Sequence, residues 1–344
     1  MHVEEIQTPG RGSARPPIGI AFDGDFGTRV DVMLAVAMLN GLTAKTEARR
    51  ISLSVSRPSL AAAQLADVVS TFYRGRPAGG ATGGVGAITE GVIGMPDGRE
   101  PSGDGPPLAA LLAKKAPDGA PAYPSGITDR INTAESAILI RNLLLAQHDA
   151  NAAIVLAGPA TGVVRLLNLY RSGPQIAAKC AQLIVAAGSF ADGAPADANI
   201  AADVSAARKL FAEWPTPIVA VGAEVGGALP YPGASIEKDF AWAPGHPVVE
   251  AYRAARPMPY DAPSTALAAV LQAVHPDDGY FTLSAPGTIE VLDDGRTRFA
   301  AAANGKHRYV IVDPAQKERI TGVYTALVSA PPAPRPGRGR GGQE

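Results

Sequence analysis

The chain reads as a single α/β domain, a mostly parallel open sheet with helices on both faces. Two observations predict it. Short, uninterrupted apolar runs alternate with stretches of helical length. Each run then breaks into Gly, Asp, Ser or Pro, the turn chemistry that separates a strand from a following helix.

The elements follow in order. Residues 18–22 are a short apolar run ending at Asp23 and read as a buried strand. Residues 30–42 have helical length, with Gly41 near their end. A second strand is expected at 51–56. A helix follows at 60–73, where Leu65, Val68, Val69 and Phe72 fall at helical spacing. Residues 133–147 read as a helix with Thr133 and Ser136 as candidate caps. Strands are expected at 153–157, before Gly158-Pro159, and at 183–187, before Gly188-Ser189. Residues 203–214 read as a helix, 217–221 as a strand and 265–274 as an apolar helix.

Composition narrows the function classes. The 344 residues carry 31 Lys plus Arg against 32 Asp plus Glu, so no basic excess advertises nucleic acid. Hydrophobic residues make up 46% but aromatics only 6%, so Ala, Val and Leu carry the core. Charged residues are 18%, below the roughly 25% of an average globular protein. Each carboxylate near a strand end therefore draws interest. The single cysteine, Cys180, excludes an intramolecular disulfide and a thiolate metal cluster. No run of about 20 apolar residues is present, so no membrane span is expected. Residues 1–17 carry Glu4, Glu5, Arg11 and Arg15 without an apolar stretch, and are expected to be a flexible segment rather than a signal peptide. A cytoplasmic protein is the expectation. The domain is expected over 18–329. Residues 330–344, with Arg335, Arg338 and Arg340, read as a disordered Pro/Gly/Arg tail. Residues 75–107 read as a long irregular excursion.

In open α/β sheets, ligands bind outside the carboxyl ends of the strands. Those ends carry Asp23-Gly24-Asp25, Ser56-Arg57, Gly158-Pro159-Ala160-Thr161 and Gly188-Ser189. Asp23, Asp25 and Asp31 lie within nine residues at a strand-to-helix junction. Such a cluster suits a hard cation, sugar hydroxyls or a general base. The same residues also suit helix capping. Asp197 and Asn199 stand two apart and point to one face if extended, so they can share a polyol; an Asx-turn leading into the helix at Asp203 is the alternative. Asp261 precedes Ser264 and Thr265, one of which is expected to cap the apolar helix. The five histidines show no metal-ligand spacing. No Gly-x-Ser-x-Gly elbow and no P-loop is present, and no Gly-x-Gly-x-x-Gly opens a helix after a strand.

These residues in this order resemble the inosine–uridine-preferring nucleoside hydrolase family, in particular a longer bacterial branch whose first motif runs Asp-x-Asp-x-Gly-Asn-Asp-Val-Asp-Asp. Residues 22–32 are similar to that motif, Gly158-Pro159-Ala160-Thr161 to its Gly-Pro-Leu-Thr-Asn segment, and Asp197-Ala198-Asn199-Ile200 to its Glu-x-Asn-Ile segment. Residues 211–218, 222–226, 286–289 and 305–309 also resemble that branch. The resemblance spans roughly residues 18–329.

It implies an N-ribohydrolase in which one Ca²⁺ orients the ribose and a bound water attacks the anomeric carbon. Asp25 matches the carboxylate that ligates the metal and activates the water, with Asp23 beside it in a supporting catalytic role. Asp31, Asp197 and Asn199 match the groups that bind ribose. Thr161 matches the residue offering a backbone carbonyl to the metal. A small-molecule nucleoside is the implied partner, and a homo-oligomer the implied assembly. The chain departs from the pattern at four places. Val32 and Ala266 stand where the other two metal carboxylates belong, Gly162 where the motif has Asn, and Arg29 where it has Asp. The Arg29 cation either opposes an ion or partly replaces its charge. The alternative function is therefore a catalytically impaired homologue that binds a ribosyl ligand or acts as a scaffold.

Overall fold

A computed structural model describes residues 16–74, 91–100 and 107–332. Residues 1–15, most of the 75–107 excursion and the chain from 333, with its three arginines, lie outside the described residues.

Strand β1 (Ile18–Gly24) is central, flanked in parallel by β2 (Ala48–Val55) and β5 (Ala152–Ala157), and both its faces are buried in the cores on either side of the sheet. From β2 the sheet continues in parallel to β3 (Ile93–Met95) and β4 (Ala134–Glu135). From β5 it continues in parallel to β6 (Cys180–Val185), β7 (Ile218–Ala220) and β11 (His307–Ile311). Chain order thus runs outward in both directions from the β1/β5 boundary. Beyond β11 the sheet turns antiparallel through β9 (Gly287–Val291) and β10 (Thr297–Ala301), with β8 (Thr282–Leu283) also pairing β11. The predicted elements ended their strands at 221 and did not include this edge. Its exposure alternates in β9, one face open to solvent, so it lacks the continuous apolar run that marks the central strands.

Successive side chains of a strand point to opposite faces. Ile20, Phe22, Val155 and Ile184 enter one core, while Ala21, Ile154, Leu156, Leu183 and Val185 enter the other. The first core is covered by α1 (Val30–Ala44), α2 (Leu60–Arg74) and three later helices, α5 (Pro247–Ala255), α6 (Thr265–Val274) and α7 (Lys317–Val328). The second is covered by α3 (Ser136–Leu145) and α4 (Val204–Glu213).

Helix α1 is apolar on nearly every side because it is enclosed, packing against α5, α6 and α7 as well as the sheet. Gly41 allows the closest of these approaches: a Cβ there would stand 2.2 Å from the Leu327 carbonyl oxygen. Gly41→Ala is expected to cost about 1–3 kcal/mol, since a backbone atom must yield, and a shift in urea midpoint measures it. Helix ends also differ from expectation. The carboxylate of Glu135, not Thr133 or Ser136, caps α3 by accepting from the Ile138 N–H at 2.8 Å. Asp203 caps α4 through the Ala206 N–H at 3.0 Å.

Candidate functional site

The β1/β5 boundary is a topological switch point, where neighbouring connections leave in opposite directions and open a crevice at the strand ends. The Asp25 N–H donates to the Ala157 carbonyl at 3.1 Å, and the Ser56 N–H to the Gly24 carbonyl at 2.9 Å, drawing three loops together. Gly158 permits this: a Cβ would lie 2.1 Å from Ser56 Oγ and 2.9 Å from the Asp25 nitrogen.

Asp25 and Asp31 are buried at this junction, and each is engaged by an arginine. Arg57 Nε stands 3.0 Å from both oxygens of Asp25, and the Thr28 hydroxyl donates to Oδ1 at 3.1 Å. Arg29 grips Asp31 bidentately, Nε to Oδ1 at 3.1 Å and Nη2 to Oδ2 at 2.8 Å. Asp31 Oδ2 also accepts from the Ala266 N–H at 3.2 Å, so one carboxylate ties α1 to the start of α6. The Arg29 charge is reinforced mainly by Asp31, against the cost of burial, with Asp197 and Asp25 adding to it.

Asp23 lies behind them with no exposed surface. Ser54 Oγ donates to its Oδ2 at 2.6 Å, while Oδ1 has no partner. Burial pushes its pKa up from 3.8 to about 7, against the Ser54 hydrogen bond and with a smaller push from Asp25.

The other predicted residues take the following places. Asp197 caps the short helix Ala198–Ala201, accepting from the Asn199 N–H at 2.9 Å and the Ile200 N–H at 3.4 Å. Burial raises its pKa, opposed by those N–H groups and by Arg29. The Asn199 amide donates to the Ala186 carbonyl at the end of β6. The Thr161 hydroxyl donates to Asp203 at 2.7 Å. Asp261 accepts from the Gly233 N–H at 2.9 Å. Ser264 is the N-cap residue of α6, but its hydroxyl is used elsewhere, donating to the Ala262 carbonyl and accepting from the Tyr231 N–H.

A cavity of about 540 Å³ opens beside the Arg29–Asp31 pair, lined by Thr28, Arg29, Asp31, Arg256, Tyr260 and Thr265, among others; of the predicted site residues only Asp31 lines it, and Asp23, Asp25, Thr161, Asp197 and Asn199 do not. Sequence reasoning placed Arg57 on the strand-end rim without giving it a role. Its partner is 32 positions away, so only the β1/β2 pairing reveals the contact. Glu224, which accepts from Ser189 Oγ and the Phe190 N–H, was also not singled out.

The donor set does not fit the Ca²⁺ that the resemblance implies. Calcium takes about six to eight oxygen ligands, several of them anionic. Here both oxygens of Asp25 and of Asp31 face guanidinium groups, and the buried side chains of Val32 and Ala266 offer no oxygen. Among the described residues, no group of three or more His, Cys, Asp or Glu is arranged to hold a metal. The expected ligands Asp25 and Thr161 thus gain no further ligating side chains.

No protein-family model matches the chain, and no curated protein does. Solved structures do match. A plant nucleoside hydrolase superposes with a TM-score of 0.66 at 19% identity, covering 92% of this chain and 100% of that one. The chain has the nucleoside hydrolase fold. A purine-preferring ribonucleoside hydrolase from Gardnerella vaginalis matches with a TM-score of 0.63 at 17% identity, over 92% of this chain and 99% of its own. The type III effector protein XopQ, solved with adenosine diphosphate ribose, matches with a TM-score of 0.65 at 16% identity, over 92% and 96% of the two chains. The mostly parallel sheet and single-domain architecture expected from the sequence are those of the shared fold. No helix among the described residues is long and apolar enough to cross a membrane.

Proposed function

We propose that this chain is a ribosyl-ligand-binding protein on the nucleoside hydrolase fold, with Ca²⁺-assisted hydrolysis impaired or lost. One observation carries the reading: Arg57 holds both oxygens of Asp25, the carboxylate that the resemblance casts as base and metal ligand. A general base needs a free lone pair within about 2.6–3.2 Å of the water it activates. Binding makes smaller demands. Arg29, Asp31 and the hydroxyls of Thr28 and Thr265 line the cavity with short polar groups suited to a polyol, and the matched structures include ribonucleoside hydrolases and an effector solved with a ribosyl nucleotide.

The second reading is hydrolysis of a ribonucleoside by water activated at Asp25, with Asp23 in support. It is favoured by Asp23, Asp25 and Asp31 all standing at the strand-end junction of a fold shared with hydrolases.

One set of assays separates the two. The protein is incubated with inosine, uridine and a chromogenic riboside, with Ca²⁺ and with chelator. The same ligands and adenosine diphosphate ribose are then titrated calorimetrically. The expected result is saturable binding of at least one ribosyl compound, unaltered by chelator, with turnover indistinguishable from buffer. Ca²⁺-dependent turnover that disappears in Asp25→Asn would establish the hydrolase reading instead.

A further inference from the structure

We propose that Arg29 is a tethered cation that takes the place of a metal ion at the floor of the cavity and presents two N–H donors to a vicinal diol. The proposal concerns the cation alone and stands whether or not the bound sugar is hydrolysed.

The argument begins with charge. Asp25, Asp31 and Asp197 are all nearly buried around one junction, an arrangement that repels itself unless a cation is present. Arg29 enters this group from the residue before α1, binds Asp31 with two nitrogens, and reaches Thr265 Oγ1 at 3.5 Å. Its charge is also stabilised by Asp197 and Asp25. Arg57 neutralises Asp25 from the end of β2. Two guanidinium groups therefore serve three carboxylates, and burial pushes the third, Asp197, towards its neutral form. At Asp25 and Asp31, each held by a guanidinium on both oxygens, there is no deficit for a divalent ion to fill. The apolar side chains of Val32 and Ala266 belong to the same solution, because carboxylates there would restore the deficit.

Donor geometry supplies the second part. A guanidinium carries five N–H donors in a fixed plane. Nε and Nη2 of Arg29 are committed to Asp31 and Thr265, while Nη1 makes no hydrogen bond with the described residues. Arg29 is one third exposed and lines the cavity together with Asp31. The Nη1 donors and the Thr28 hydroxyl oxygen, which line the same cavity, can thus meet adjacent hydroxyls as donors and acceptor. A metal ion would act differently. It accepts lone pairs from any direction and acidifies bound water, whereas a guanidinium offers directed N–H bonds and no Lewis acidity. A tethered cation also cannot be chelated away.

The test compares the full-length wild type with Arg29→Ala and Arg29→Gln, reading thermal midpoints at matched ionic strength in NaCl, CaCl2 and guanidinium chloride. Salts are kept near about 10 mM, where ligand linkage dominates over denaturation. Wild type is expected to show no stabilisation by CaCl2. Both variants should melt lower, and guanidinium or Ca²⁺ should raise their midpoints by about 2 °C or more, as a cation refills the site. Gln matches much of the Arg length without charge, so the test stands if the Ala variant does not fold. Saturable stabilisation of the wild type by sub-millimolar Ca²⁺ would overturn the proposal. So would variants whose lowered midpoints respond to neither cation.

Discussion

Relative to wild type, Asp23→Asn should lose a stabilising contribution that is present at about pH 4 and gone by about pH 8, so the stability gap between the two proteins should change by about 4 kcal/mol across that range. The sign follows from where the proton sits. Unfolded, this carboxyl ionises near 3.8; folded, burial delays ionisation to about 7. Between those values the native state binds one more proton than the unfolded state. Raising the pH therefore favours unfolding, and the contribution is lost as pH passes through the folded value. The unpartnered Oδ1 shows why the neutral form is preferred, since an ionised oxygen there would be buried without a protein donor. Asparagine keeps an acceptor for Ser54 and removes the titration. Urea melts of both proteins at several pH values measure the difference, and parallel curves would refute it.

His246 should produce the opposite slope. It is fully buried among Phe72, Tyr73, Phe240 and Trp242, and burial lowers its pKa from 6.5 to about 3. Its Nδ1 accepts the Val248 N–H at 3.2 Å, so in the neutral ring Nε2 carries the proton and donates to Tyr73 Oη at 3.1 Å. It also caps the N-terminus of α5, where a positive charge opposes the helix dipole. Below 6.5 the unfolded chain takes up a proton that the native state refuses. Acidification from about pH 6.5 to about pH 4 should therefore remove about 3 kcal/mol through this residue alone. His246→Asn keeps an acceptor for the helix end and should lose that dependence. Because Asp23 and His246 have opposite signs over the same interval, wild type should be nearly flat there, and each single variant should expose the slope of the other group.

Much of the architecture was legible because buried parallel strands carry a local signal. The run ending at Asp23 gave β1, and the all-round apolar stretch after Arg29 gave α1. Helix α6 was found with its bounds intact. Boundaries moved where packing, not composition, decides, as for β6, expected at 183–187 and found at Cys180–Val185. The antiparallel edge escaped because one of its faces is open to solvent. The turn residues at the strand ends, Arg57 included, were legible as one rim of the sheet.

The sequence by itself determined the fold class and the gathering of Asp23, Asp25, Gly158 and Gly188 at the carboxyl ends of the central strands. These are local facts of residue type and order. Which cation serves which carboxylate was decided only by tertiary structure. Arg57 meets Asp25 across a strand pair, Arg29 and the Ala266 N–H meet at Asp31 from distant parts of the chain, and Tyr73 meets His246 across 173 positions. Charge pairing and desolvation act over a few ångströms of space, and separation along the chain carries no record of that distance until the sheet is assembled.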